Sequence, residues 1–363
     1  MNLRLLGCAC VVALLGVSSD GAQEPGEQFR AVYGEWNALE KRLTDAQSEY
    51  GKAEPGTRQE LKKQYEQLVE QSNGLLAKLG SAAEVAYVAA PNKDQDVLRT
   101  LIGIMAFHYR RDDQEAALRI AKLLEENKCP EAGFYAIAGA AAFSGDDFET
   151  AERYLLLGDK AGKLDSSGKD LLAELPAQKI LWKAEQAIRE KEASADDLPR
   201  VKFETNKGTI VVELFENEAP QAVGNFVSLV EKKFYDGVAF HRVLPGFMAQ
   251  GGEPTGNGSG GPGYKIYCEC ENKDARKHFR GTLSMAHTGT KDTGGSQFFL
   301  TFRPTTHLNS RHTVFGRVIE GIDVLPKLQR RNPQAANPPE PDKIVKAEVV
   351  RKRDHAYEPT KVK

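Results

Sequence analysis

FHRVLPGFMAQGG, residues 240–252, brings together a permanently charged guanidinium (Arg242), a proline-directed turn (Pro245, Gly246), two bulky apolar side chains (Phe247, Met248), an amide (Gln250) and a double glycine. The set holds a charged donor beside a hydrophobic seat, with neither nucleophile nor base. That suits chemistry in which no covalent bond is broken.

Three further segments follow in order: LSMAH (283–287), GGSQFFL (294–300) and RHTVFGRV (311–318). Together with the first, they resemble the cyclophilin family of peptidyl-prolyl cis/trans isomerases, over about residues 200–350. The resemblance implies a closed eight-stranded antiparallel β-barrel capped by two helices, cofactor-free catalysis without metal, and proline-containing polypeptides as substrates. Carried over motif by motif, it implies Arg242 in FHR as the catalytic donor. Phe247 and Met248 in PGFM, Phe299 in SQFF, and Leu308 would wall a proline pocket, with Gln250, Gln297 and His312 as its polar rim. Ala286 in SMA and Gly258 in GNGSGG would line the neighbouring groove for the residue before proline. Two positions depart from the best-known eukaryotic pattern: His287 stands in place of asparagine and His307 in place of tryptophan. Both remain candidate substrate contacts, and the smaller, more polar His307 implies weak or no cyclosporin binding.

The chemistry supports the same assignment independently. An X-Pro bond rotates over a barrier of roughly 20 kcal/mol, and an ordinary enzyme rate requires about 4 to 7 kcal/mol less. Twisting localises a lone pair on the proline nitrogen, where a positioned donor binds the transition state better than the planar ground state. Arg242 is such a donor. Taken singly, Phe247, Met248 and Phe299 would more often be core residues, and His241 a satisfied structural histidine. The histidines at 287, 307 and 312 show no HxH or HxxxH spacing with an acidic partner. The competing class is a binding module that grips proline-containing loops as an assembly scaffold with little turnover.

Around this segment the composition is globular: 363 residues, 40% hydrophobic and 28% charged, with net charge -2. The sum hides an asymmetry, with 32 acidic and 23 basic residues over 23–199 against 18 and 25 over 200–363. Opposed charges of this kind steer the two halves together or steer acidic clients. No basic run interleaved with aromatics argues for nucleic acid. Residues 1–22 read as a signal peptide, with Arg4 ahead of an apolar run that is too short to span a membrane, so export to a periplasm or secretion is expected. Cys8 mimics a lipoprotein box, but the apolar run continues past it, which argues against lipid anchoring. Cys129, Cys268 and Cys270 remain, with no disulfide framework. Two apart on an expected strand, Cys268 and Cys270 would face one side and bond to each other poorly. They read as free thiols, or as a metal site with His278.

Upstream, Phe29, Val32, Trp36, Leu39, Leu43, Ala46 and Tyr50 recur at steps of three and four, then again after GKAEPG (51–56) as Leu61, Tyr65, Leu68, Leu75 and Leu79. The spacing predicts a helical hairpin over 23–80. Over 81–192, Asp112, Asp113 and Ala117 recur as Asp146, Asp147 and Ala151, which resembles a degenerate tetratricopeptide-type repeat pair and offers a surface for a protein partner. The aspartate pairs read as helix-start charges. A last helix, 169–192, should kink or split at Pro176. A linker is expected at 193–200, the isomerase domain at 201–352, and a frayed polar tail at 353–363.

Overall fold

The computed structural model describes residues 24–256, 258 and 260–362. The expected leader, with Cys8, lies outside the described residues, as do Asn257 and Ser259 of the glycine loop. The chain forms two compact units, Met1–Thr100 and Leu101–Lys363, so the division falls within the expected repeat region rather than at 193–200.

In the first unit, α1 (Pro25–Lys52) and α2 (Arg58–Ala89) flank the predicted break. Phe29, Leu39, Leu68 and Leu79 of the three–four spacing are buried. Arg30 ties the hairpin to Asp94 (2.5 Å) and Asp96 (2.7 Å) at the start of the next helix. Among the described residues, no helix is long and apolar enough to cross a membrane.

Helices α3 (Gln95–Arg110), α4 (Gln114–Glu126), α5 (Phe134–Ser144) and α6 (Phe148–Lys160) form two helix–turn–helix repeats. Each turn places its first aspartate in the left-handed region, Asp112 at φ 64° and Asp146 at φ 65°. The second aspartate then caps the next helix, Asp113 accepting from the Ala116 N–H (3.3 Å) and Asp147 from the Thr150 N–H (3.1 Å). Helix α7 (Ser166–Ala195) runs unbroken through Pro176, contrary to the expected split. The proline forfeits one backbone hydrogen bond, while packing of Leu171, Leu172, Leu175, Leu181 and Trp182 against Phe148 and Phe279 holds both halves of the helix.

Nothing in 193–200 acts as a free tether. Asp196 ends α7 in the left-handed region, and Leu198 is buried against Phe215 and Val314 just before β1 begins at Arg200. The strands are β1 (Arg200–Thr205), β2 (Gly208–Leu214), β3 (Arg242–Leu244), β4 (Met248–Gly251), β5 (Thr282–Met285), β6 (Phe298–Thr301), β7 (Val314–Glu320) and β8 (Ile344–Arg351). They form one antiparallel sheet in the order β3-β4-β6-β5-β7-β2-β1-β8. This is an open half-barrel, which corrects the expectation of a closed one. The outer edge of β3 is occupied by Arg331, which exchanges two 2.8 Å backbone bonds with Val243. Beyond it the segment before β3 approaches the start of β8 through the isolated Ala239–Lys343 bridge and the flanking Phe240 N–H to Asp342 carbonyl (2.8 Å) and Ile344 N–H to Val238 carbonyl (2.9 Å) bonds, short of a continuous strand pairing.

Helix α8 (Pro220–Glu231) fills the concave side, where the Phe226 ring meets Phe203, Phe298 and Phe315 at 6.0, 5.7 and 5.2 Å. A second cap, as expected for two, is only a short 3-10 turn, Ile322–Lys327. The tail is not frayed. The Tyr357 hydroxyl donates to Glu216 (3.0 Å) and the Val362 N–H to the Lys265 carbonyl (2.9 Å).

The helical repeats and α7 dock directly on the sheet within this unit. Arg276 is buried between Glu185 and Glu192 of α7, over the Phe215 ring at 3.8 Å. Phe279 packs on Trp182, with ring centres 4.8 Å apart. The Asp112 carboxylate accepts from the Gly246 N–H (2.9 Å), and that of Asp146 from the Arg280 N–H (3.1 Å).

Candidate active site

Register across three strands builds the site. Arg242 pairs with Gln250, Gln250 with Phe299, and Phe299 with Ser284 on a fourth strand, so these side chains share one face of β3-β4-β6-β5. Val243, Ala249, Leu300 and Leu283 pair in the adjacent row, point the other way and are buried in the core with α8. The period of two along each strand therefore separates the core from the candidate pocket.

On the outward face Met248, Ala286 and Phe299 form a buried apolar cluster, with Leu244, Phe247 and Leu308 packed against it. The Arg242 guanidinium lies over the Phe247 ring at 5.9 Å. Its Nη1 donates to Gln250 Oε1 at 3.5 Å. Gln250 Nε2 donates onward to Gln297 Oε1 (2.9 Å), and Gln297 Nε2 to the Gly258 carbonyl (2.9 Å). This single-sense relay leads from the charge to a groove of about 1020 Å3 lined by Gln250, Gly258, Ala286, His287 and Gln297 among others. All twelve predicted positions thus fall on the apolar cluster, its rim or this groove.

His307 lies on the 3-10 turn Thr306–Leu308, its ring 5.6 Å from that of Phe247. His287 and His312 stack at 4.0 Å, and the edge of His312 meets Phe299 at 5.4 Å. His312 Nδ1 donates to the Met285 carbonyl (3.0 Å), and burial holds this imidazole below its ordinary pKa. It is therefore neutral at physiological pH. Burial also lowers the Arg242 pKa, which leaves the guanidinium charged given its very high starting value.

Sequence reasoning missed several supports. His278, weighed only as a metal ligand, lies under the pocket, its ring parallel to Phe299 at 5.9 Å. It is held by Ser284 Oγ (3.0 Å) and Asn309 Oδ1 (2.9 Å), and burial pushes its pKa down to about 3. Among the described residues no three His, Cys, Asp or Glu side chains converge as a metal cluster. Glu253 gathers the glycine loop by accepting from the N–H groups of Thr255, Gly258 and Gly260. Burial raises its carboxyl, but the Thr255 hydroxyl, which also donates to it, and these N–H groups outweigh that and hold it below the usual range. His241 is buried, and among the described residues its Nδ1 has no hydrogen-bond partner, unlike the satisfied structural histidine expected.

Comparison with known proteins places this geometry. The profile described as "Cyclophilin type peptidyl-prolyl cis-trans isomerase/CLD" matches residues 200–349. A peptidyl-prolyl cis-trans isomerase of Helicobacter pylori is 52% identical over 145 residues, 39% of this chain and 86% of that protein. Peptidyl-prolyl cis-trans isomerase B of Bacillus subtilis is 55% identical over 114 residues, 31% of this chain and 78% of that protein. A crystal structure of a Cryptosporidium parvum cyclophilin-type isomerase is 33% identical and covers 42% of this chain and 97% of its own, with a TM-score of 0.39. The same protein was also solved in the presence of the dipeptide Ala-Pro, at 33% identity, 41% and 98% coverage and a TM-score of 0.38.

Proposed function

The chain belongs to the cyclophilin-type peptidyl-prolyl cis-trans isomerases, and from that premise we propose that Arg242 and the apolar seat beside it speed prolyl rotation in exported polypeptides. The observation that carries this reading is the row Arg242–Gln250–Phe299, which sets a half-buried guanidinium at the edge of the Phe247, Met248 and Phe299 cluster.

A proline ring seated on that cluster has its nitrogen facing the guanidinium. As the amide twists, the nitrogen lone pair localises and accepts from Arg242, a contact absent in the planar ground state. In a water-poor site such a donor is worth on the order of 3 kcal/mol. The remainder comes from holding the ring while the carbonyl side turns. The Gln250–Gln297 relay fixes the groove wall, where the residue preceding proline lies. No proton moves and no covalent intermediate forms.

Arg242→Ala is expected to lower turnover of an X-Pro peptide at least tenfold with an unchanged circular dichroism spectrum. Unchanged turnover would leave the site a proline-loop gripper. Export rests on the leader read in residues 1–22. Recovery of a processed chain outside the cytoplasm tests it, and an uncleaved cytoplasmic product would refute it.

A further inference from the structure

Cys268 and Cys270 do not sit as two residues of a strand sit. Strand pairing stops at the Ile266–Gly294 bridge, and the chain then runs irregularly into a turn at Cys270. Freed from alternation, the two sulfurs converge to 3.0 Å. Cys268 is half-buried and Cys270 is buried. Cys268 Sγ also lies 3.4 Å from Thr313 Oγ1, and Cys270 Sγ 3.4 Å from the Ser310 carbonyl. The Cys268 N–H donates to Asp292 Oδ1 at 2.7 Å. Cys268, His287 and Asp292 line one small cavity, and His287 and Asp292 also line the groove. The thiols therefore stand one loop behind the substrate groove.

We propose that Cys268 and Cys270 are a thiol–disulfide couple behind the groove wall, which accepts a disulfide from another molecule and closes into an intramolecular bond. Cys268 releases its proton to water, and its thiolate attacks one sulfur of the donor disulfide. That S–S bond breaks, and one donor sulfur leaves as a thiolate and is protonated. Cys270 then loses its proton and attacks Cys268 Sγ, expelling the second donor sulfur. Two electrons pass from the protein thiols to the donor, which departs as two thiols. The order follows from access, because only Cys268 reaches the surface. Burial and the neighbouring sulfur push the Cys270 thiol up to about 12. The charge on Cys268 disappears in the mixed disulfide, and part of that obstacle disappears with it.

The reduced full chain is incubated with oxidised glutathione or, separately, with a disulfide-bridged proline peptide, then acid-quenched, alkylated and digested with trypsin. Cleavage after Lys265 and Lys273 releases 266–273, which holds these two cysteines and no other. The expected fragment is unalkylated and about 2 Da lighter than the reduced form. The Cys270→Ser chain is expected to trap the donor on Cys268. Oxidation in the peptide arm alone assigns the donor to polypeptides, and oxidation by glutathione alone assigns it to small disulfides. A fragment that is doubly alkylated in both arms, or that carries a donor on each cysteine without closing, overturns the proposal. This readout is independent of prolyl turnover.

Discussion

Asp112 and Asp113 are adjacent, but their side chains serve different parts of the molecule. Asp113 caps α4, as an acidic pair at a helix start suggests. Asp112 turns away, accepts the Gly246 N–H with both oxygens (2.9 and 3.1 Å) and pairs with Arg330 at 2.8 Å. Gly246, at φ +66°, precedes Phe247, so this carboxylate fixes the turn that carries a pocket wall. Asp112→Ala leaves the half-buried Arg330 without its counter-charge. It is expected to cost about 3 kcal/mol in urea unfolding and to raise KM for a proline peptide more than it lowers kcat. Rescue of KM by Asp112→Asn, which keeps an acceptor, checks that the effect is positional. His278 gives the second prediction at this scale. Its native pKa is about 3, against roughly 6.5 unfolded, so between those values the unfolded chain binds a proton that the native chain refuses. Stability contributed by neutral His278 is full above pH ~6.5 and falls as pH drops, by on the order of 5 kcal/mol at the bottom of the window. His278→Gln is expected to flatten that part of the stability–pH curve. Arg242 and Phe299 were legible because their neighbours in sequence are also part of the site. Asp112 was not, because its partner lies 134 residues away.

Helix α7 is the element that joins the helical repeats to the sheet. Glu185 accepts from Arg276 Nη2 and Nε at 2.7 and 3.0 Å, and Glu192 is shared between Arg276 and Arg317. Both guanidiniums lie over the Phe215 ring, at 3.8 and 5.6 Å. Glu185→Ala leaves buried Arg276 with Glu192 but without its two-point partner, and is expected to destabilise the unit by about 3 kcal/mol. Glu185→Leu combined with Arg276→Met removes both charges and is expected to recover most of that loss, measured as a double-mutant cycle in urea. The expected helix is present, but the proline rule predicted a kink or a split, and no split occurs. A local rule is overridden when both flanks of the proline are packed. The pocket row was legible through the motifs of the resemblance, whereas strand alternation, applied to Cys268 and Cys270, failed because pairing has already ended there.

At the scale of the whole chain, the acidic-then-basic charge division becomes contacts. Asp112, Glu115, Glu185 and Glu192 meet Arg330, Arg280, Arg276 and Arg317 inside Leu101–Lys363. Composition signalled the attraction but not its depth, since screening in water gives no hint that Arg276 would be buried. Residues 101–363 are accordingly expected to unfold in one calorimetric transition. Residues 200–352 alone should melt lower, because Arg276 and Phe279 lose their cover. Two separate transitions within 101–363 would contradict this. Asp112 and Asp146 each reach a backbone N–H 134 positions further on, so the repeats span the sheet like the jaws of a caliper. One residue added between the jaws would misalign one grip while leaving the other seated. An insertion in this stretch is therefore expected to be absorbed only in the connection 127–133 between α4 and α5, which lies outside both helices.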